Sequence, residues 1–532
     1  MDPPLPCIGT RISLSGSLGT VRYVGSVSNI SGTWLGVEWD SPIRGKHNGI
    51  KDGKQYFTCR FETSGSFIRP SPHIHYGVSF LEALSAKYIE ALHGDHSQEK
   101  VVLGSSAGAI QVEAVDLDKI REKFSRLDRL REVSLDNECV VRGNSLGEIA
   151  QTCPNVRGLD LSQNLLPSWE VVAQITEELP YLLHLSVNRN RLQMPHDYER
   201  LPGAFRKLIE LQLNDTLTSW IDMQKITSFM PELRSIEMGY NYLTRLCGDR
   251  TEEQGALPPV ELINLDANKL SDWVHIWTSL KEYKSLQRVV LTSNIIENIP
   301  FPEHPSDSLP GISYLSLSGN CIRAWESIDA LSCWLPALKT LTMSGNPLLS
   351  DDALEQQLRP LLIARIPSLT TLDGAAISTR ERNDSELFYM SYIIRQGPLA
   401  DDVRSKAHYR WKDLCQKHGT PDEIQGANKQ QNKLSDHLID VQLYRYDESL
   451  KQIEAAFNAE PETVLRVLPT MTFRVLRLKI CKALKLNPRQ VAITFWLRMG
   501  HGTLSSIDSQ YDTRDLDWLG VENGSHIIYQ IQ

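Results

Sequence analysis

The nine residues Leu286-Gln287-Arg288-Val289-Val290-Leu291-Thr292-Ser293-Asn294 place aliphatics at the first, fourth and sixth positions and an asparagine at the ninth. The same template, with other aliphatics allowed for leucine, fits Val156/Leu159/Leu161/Asn164, Leu182/Leu185/Val187/Asn190 and Leu233/Ile236/Met238/Asn241. It fits again at Val260/Ile263/Leu265/Asn268, Ile312/Leu315/Leu317/Asn320 and Leu338/Leu341/Met343/Asn346. Two weaker copies, ending at Glu138 and Thr216, fall in register with these. Template ends therefore lie at 138, 164, 190, 216, 241, 268, 294, 320 and 346, and every step is 25 to 27 residues. Random aliphatic clustering does not hold a register nine times, so one supersecondary unit is stacked along the middle of the chain.

Each copy reads as a short strand. Period two sends the paired aliphatics inward and the residue between them onto the exposed face of a parallel sheet. An inward asparagine satisfies backbone groups at the turn that follows, which an apolar side chain cannot do. No unit buries its own core, so the array has to stack and be capped. The pattern is that of a leucine-rich-repeat array, an α/β solenoid spanning 119–395. Its exposed strand positions are small, polar or acidic, and Asp160, Glu237, Asn264 and Asp266 are the residues expected to form a protein-binding face. Leu369 to Ser378 and a helix from Glu386 to Arg395 are expected to cap one end, and the amphipathic stretch Val115 to Leu130 the other. Trp273 and Trp277, one helical turn apart, read as core packing.

Upstream lies a different kind of segment. Thr33-Trp34-Leu35-Gly36-Val37-Glu38-Trp39 is followed by Gly45-Lys46-His47-Asn48-Gly49 and then by Gly65-Ser66-Phe67-Ile68-Arg69-Pro70. Glycines permit tight turns and close backbone approach, lysine supplies a point charge, and His and Asn supply directed hydrogen bonds. Beside an aromatic wall, such a loop suits a peptide end that carries carboxylates and an aromatic ring. Residues 1–80 hold eight Lys/Arg against five Asp/Glu, a local excess of three positive charges in an acidic chain. The segment from about Gly9 to Pro70 resembles a CAP-Gly domain, which implies a small SH3-like β barrel within residues 1–80. The family loop usually carries Asp where this chain has Asn48. By that resemblance, Lys46 and His47 would meet the carboxylates of an acidic C-terminal tail, such as that of alpha-tubulin. Trp34, Trp39 and Phe67 would line the pocket for its terminal ring, and Gly45, Asn48 and Gly49 would shape the loop.

Downstream, a linker over 396–436 with helical promise around Ala407 to Lys417 leads to a third module at 437–532. Strand-like runs at Val441 to Tyr444 and Val464 to Leu468 precede an amphipathic helix, Thr472 to Leu484, with Leu476, Ile480 and Leu484 on one face. Further runs follow at Val491 to Leu497 and Ser525 to Ile531. This order resembles the ubiquitin-like β-grasp, an α+β fold. The final residues Tyr529-Gln530-Ile531-Gln532 lack Gly-Gly, so a docking domain is expected instead of a conjugated modifier. A linker with a short helix is expected at 81–118.

Composition narrows the function classes. At 532 residues the chain holds several domains. A formal net charge of −9 argues against a general nucleic-acid binder. Nine scattered cysteines without a Cys-x-x-Cys pair suggest a reducing compartment. No apolar run approaches the length of a membrane span, and Met1-Asp2-Pro3-Pro4-Leu5-Pro6 lacks a signal-peptide pattern. A cytoplasmic, cytoskeletal location is expected. There is no phosphate loop, nucleophile elbow or His-Glu-x-x-His zinc helix, and His73 with His75 is too small a set for a metal site. No enzyme and no cofactor are expected. The order CAP-Gly, leucine-rich repeats, ubiquitin-like module resembles the tubulin-folding cofactor E family. That resemblance implies a chaperone of alpha-tubulin that acts on the alpha/beta heterodimer, with other tubulin cofactors and a small GTPase regulator as partners. A ubiquitin-pathway receptor is a further partner for the last module. The alternative is a microtubule plus-end adaptor or scaffold.

Overall fold

The computed structural model describes residues 5–28, 30–90, 126–195, 201–246, 257–349, 355–395, 401–420, 438–446, 453, 457, 460–486, 492–499 and 504–531. The chain divides into two compact units, Met1–Trp411 and Lys412–Gln532.

The first unit opens with strands β1 (Arg11–Leu14), β2 (Ser17–Val27) and β3 (Ile30–Trp39), the short hairpin β4 (Ile50–Lys51) and β5 (Lys54–Gln55), then β6 (Gly65–Ile68) and β7 (Ile74–His75). Five of them form a sheet in the order β6-β3-β2-β1-β7. Alternation along β3 turns Leu35, Val37 and Trp39 into a core with Ile12, Val21 and Ile74. Trp34, Gly36 and Glu38 take the other face. A register shift between Val21 and Tyr23 marks a bulge that keeps Tyr23 opposite Gly36.

The chain then joins the solenoid without leaving the unit. Strand β8 (Val78–Ser79) pairs in parallel with β10 (Val140–Arg142). The helix Phe80–Ser85 is closed by a reciprocal capping box between Ser79 and Glu82. Phe80, Ala83 and Leu84 are buried in the solenoid core. Residues 80–90, expected in part as linker, thus cover the first repeat. The capping stretch expected at Val115 to Leu130 lies mostly outside the described residues.

Strands β9 (Glu132–Ser134), β11 (Gly158–Asp160), β12 (His184–Ser186), β13 (Glu210–Gln212) and β14 (Ser235–Glu237) continue into β15 (Leu262–Asn264), β16 (Arg288–Val290), β17 (Tyr314–Ser316) and β18 (Thr340–Thr342). All nine pair in parallel in chain order. Their middle residues, such as Leu185 and Val289, are buried at 1% and 0% exposure, as the periodicity requires. The template asparagines explain why the stack holds. Asn268 donates from Nδ2 to the carbonyls of Met238 (2.9 Å) and Leu265 (3.0 Å), and its Oδ1 accepts from the N–H groups of Asn241 and Leu243 (both 3.0 Å). One amide thereby satisfies four backbone groups in two consecutive turns. Thr216, at a weak copy, keeps part of this by donating to the Leu213 carbonyl at 2.8 Å. Glu138 lies in the turn after the first strand, where no earlier repeat is described to receive an amide; it pairs with Lys87 at 3.1 Å. The residue before each asparagine is left-handed, including Gln163, Arg189, Tyr240 and Ser293, with glycine at 319 and 345, and so is Asp215 before Thr216.

The outer side carries helices that start on tryptophan: Trp169–Thr176, Trp220–Thr227, Trp273–Leu280 and Trp325–Trp334. Trp273 and Trp277 are both 1% exposed, with ring centroids 4.8 Å apart, so the core reading of this pair is right. At the far end, β19 (Thr371–Leu372) extends the parallel sheet and turns back through β20 (Ala375–Ala376). Asp373 Oδ1 accepts from the Met343 and Ser344 N–H groups in place of a further asparagine. The closing helix is Thr379–Arg395, longer than expected. Residues expected as linker also fold here. His408 and Arg410 are buried, Tyr389 Oη lies 3.1 Å from His408 Nδ1, and Arg410 donates to the Ala364 carbonyl at 2.6 Å.

The second unit contains β21 (Ile439–Arg445), β22 (Thr463–Val467), the helix Phe473–Ala483, β23 (Ile493–Arg498), β24 (Leu504–Ile507) and β25 (His526–Ile531). Its sheet order is β22-β21-β25-β23-β24, with β21 and β25 parallel and the other pairs antiparallel. Strand β24 had no expectation, because its run Leu504-Ser505-Ser506-Ile507 is too polar to announce itself. Phe473, Leu476 and Ile480 seal the helix onto the sheet.

Candidate functional site

The glycines of the N-terminal loop are spaces that other atoms fill. A Cβ on Gly45 would overlap Gly65 and the Ser64 carbonyl carbon, and one on Gly49, at φ +96°, would overlap the Phe57 carbonyl. Backbone thus packs on backbone, and the loop closes on β6. Lys46 and His47 donate their N–H groups to Gly65 O at 2.8 and 3.3 Å, and Gly65 N–H returns a 2.7 Å bond to His47 O. Gly36 serves the same purpose on the sheet. It lies opposite both Tyr23 and Phe67, and a Cβ there would overlap the Phe57 ring. Bare backbone is what lets the aromatic side chains lie on the sheet.

The result is a cluster of five rings. Phe67 lies 5.1 Å from His47, 5.4 Å from Tyr56, 5.4 Å from Phe57 and 6.4 Å from Tyr23. Tyr56 is held by hydroxyl bonds to Ser28, donating to Oγ at 2.7 Å and accepting from the N–H at 2.8 Å. These bonds hold its phenol below the ordinary tyrosine value. His47 Nδ1 accepts from Gly49 N–H at 3.0 Å, so a neutral ring carries its proton on Nε2. Burial lowers the His47 pKa, and the charge of Lys51 lowers it further. At neutral pH the ring is therefore an uncharged donor.

Cations rim the cluster. Lys46 is exposed on the loop, Lys54 Nζ sits 5.0 Å from the Tyr56 ring, and Arg69 stacks 4.2 Å from the Trp34 ring. Trp34 shares the face of Gly36 two residues along β3, beneath Arg69. Asn48 is half-buried, and its carbonyl accepts from Gln55 Nε2 at 3.1 Å. Trp39 is a correction. It is 1% exposed on the opposite face of β3, in the module core, with Arg44 4.3 Å above its ring. Sequence reading missed Tyr23, Tyr56 and Phe57. Plain alternation from Val21 would put Tyr23 in the core, and the bulge at Arg22 turns it to the face of Gly36 instead, while the other two lie outside regular strands.

On the solenoid, Asp160, Glu237, Asn264 and Asp266 come together along one concavity of about 490 Å³, with Asp136, Asp215 and Arg189. Asn264 Oδ1 accepts from the Asp266 N–H at 3.0 Å, and Glu237 accepts from Asn214 Nδ2 at 2.9 Å. Gly239 leaves the space that the Asp266 carboxyl occupies. Burial and then neighbouring Glu237 raise the Asp266 pKa; burial and then Asp160 raise that of Asp136. This is a face of crowded negative charge.

A CAP-Gly domain model matches residues 8–73. Across its whole length the chain is similar to tubulin-specific chaperone E of Bos taurus, 31% identical over 98% of both chains, and of Homo sapiens, 30% identical over 98% of both. The chain belongs to the tubulin-specific chaperone E family. Tubulin-folding cofactor E of Arabidopsis thaliana is 31% identical over 82% of this chain and 83% of its own. The family relationship runs through the N-terminal module, the solenoid and the second unit alike, since the first two alignments leave out only 2% of each chain.

Proposed function

We propose that the chain is a non-enzymatic tubulin-folding chaperone that binds alpha-tubulin through its acidic, aromatic-ended C-terminal tail and assists assembly and dissociation of the alpha/beta heterodimer. The observation that carries this reading is the closed Gly45–Gly49 loop against the rings of His47, Tyr56 and Phe67. Lys46, Lys54 and Arg69 stand around it, in a chain with family relatives over its whole length. Carboxylates of the tail meet Lys46 and the His47 Nε2–H, and the terminal ring enters the aromatic cluster. Tail capture raises the effective concentration of the tubulin body at the solenoid, where Asp160, Glu237, Asn264 and Asp266 suit a basic surface. Binding free energy spent on a surface that the heterodimer interface competes for can separate or join subunits without covalent chemistry.

The family reading also supplies the other tubulin-folding cofactors and a small GTPase regulator as partners, in the cytoplasm. The second unit, by its sheet order and the helix Phe473–Ala483 packed on that sheet, is read as a ubiquitin-like β-grasp that docks partners, a ubiquitin-pathway receptor among them. The decisive measurement is the heterodimer dissociation rate with Lys46→Ala and with tubulin lacking its C-terminal tail. Slower dissociation in both supports the reading, and an unchanged rate in both overturns the tethering role.

A further inference from the structure

The face of β3 that floors the aromatic groove does not end there. Glu38 follows Gly36 on the same face, about 7 Å further along the strand. Its carboxylate accepts from Arg22 Nε at 2.8 Å and from the Arg60 N–H at 2.7 Å. Beyond it opens a cleft of about 280 Å³ between the N-terminal module and the solenoid. Arg11, Arg22 and Arg60 of the module line it together with Arg191 of the solenoid, and Thr20 and Thr218 are also part of its wall.

Three of these four arginines have carboxylate partners, Arg22 in Glu38. Asp40 holds Arg11 at 2.5 Å and Asp215 holds Arg191 at 3.4 Å. Asp222, the one carboxylate lining the cleft among the described residues, accepts from its neighbour Ser219 Oγ at 2.7 Å. The Arg60 guanidinium makes no hydrogen bond or ion pair among the described residues. Burial lowers its pKa; Glu38 and Asp40 raise it in part, and the charges of Arg22 and Arg191 lower it again. The cleft wall therefore presents like charges whose crowding an anion would relieve.

We infer that this arginine-lined cleft is a second anion subsite, which takes the carboxylates of an acidic peptide lying upstream of the aromatic end held at His47 and Phe67. It deepens the tail-capture reading and rests on it. The site is shared by module and solenoid, so a long acidic tail ties the two together, whereas a short one touches the groove alone.

The test uses the full chain and two synthetic glutamate-rich peptides ending in tyrosine, one of about four residues and one of about twelve, the longer able to span roughly 40 Å. Affinities are measured at low and physiological salt. The long peptide is expected to bind about tenfold tighter at low salt, the size of one or two screened charge pairs. Arg60→Glu is expected to remove that gain and leave short-peptide affinity in place, with Arg60→Gln intermediate. Arg69→Glu, at the other end of β3, is expected to keep the ratio of long to short. Equal binding of the two peptides overturns the subsite, as does loss of the gain with Arg69→Glu in place of Arg60→Glu. Failure of the short peptide to bind at all overturns the tail reading and the subsite with it.

Discussion

The N-terminal module and the solenoid answer the same problem, how to satisfy backbone where strands turn, in opposite ways. The solenoid repeats one solution: a buried asparagine such as Asn164, Asn190 or Asn294 bonds the turn before it and the turn it sits in. The module uses each solution once. Gly36 admits a ring, Gly45 admits the backbone of Ser64 and Gly65, and Gly49 admits a carbonyl. Repetition spreads the stabilising interactions over many equivalent residues, so a local defect stays local. Single-use contacts concentrate them, and that concentration is what makes a specific groove.

The sharpest break in that comparison is expected at the Arg11–Asp40 pair, where side-chain exposures are 1% and 16%. Asp40→Ala leaves a buried guanidinium without its partner, at a cost of about 3–5 kcal/mol. The module should melt early in a thermal scan while the repeats keep their transition. Burial raises the Asp40 pKa, but the charge and hydrogen bond of Arg11, with Arg191, bring it below its ordinary 3.8. The contribution of the pair is therefore full above that value and lost as pH falls beneath it. Coincident melting of module and repeats in the variant would break the contrast.

Next comes Gly49→Ala, which combines a left-handed backbone with overlap on Phe57. A cost of about 3 kcal/mol, with loss of acidic-peptide capture in a titration, is expected. The matching change in the solenoid is Gly345→Ala. It is also left-handed, at φ +76°, but an added Cβ there comes no closer than 3.3 Å to the Gly319 backbone. It should cost about 1 kcal/mol and leave capture unchanged.

Asn268→Leu takes a partner from the Met238 carbonyl and from the Asn241 and Leu243 N–H groups, while Asn294 still serves the Leu265 carbonyl. It should destabilise the repeats by about 1–3 kcal/mol, visible as faster amide exchange at Asn241 and Leu243. Exchange accelerated evenly along the whole solenoid would show the defect is not local.

The smallest effect belongs to Asp266→Asn. A carboxyl whose pKa is raised on folding costs stability at neutral pH, and the cost disappears as pH falls through the folded value. The variant should gain on the order of 0.5 kcal/mol at pH 7 and nothing near pH 3, read from paired melts. A loss at pH 7 would mean that the hydrogen bonds of Asp266 outweigh its crowding by Glu237.

Much of this molecule was legible in the chain because periodicity and glycine placement are local properties. The step of 25 to 27 residues announced nine parallel strands, and the inward asparagines announced the ladder between them. The Gly-Lys-His-Asn-Gly loop announced a groove because no other residue tolerates those contacts. The polar strand Leu504–Ile507 carried no such signature, and neither did the folding of residues 80–90 and 401–411 onto the ends of the solenoid. Their packing depends on surfaces made far away in sequence.

Sequence by itself determined the repeat, its register, the loop and the identities of Lys46, His47 and Phe67 as neighbours of one groove. Tertiary structure decided that Trp39 is core and Trp34 is not, since alternation names two faces without saying which is covered. It also brought Tyr23, Tyr56 and Phe57 to the groove, and set Arg60 of the module in one cleft with Arg191 of the solenoid, 131 positions away in the numbering. Side chains so far apart along the chain leave no common pattern in it, and they meet because separate cores hold the surfaces that carry them.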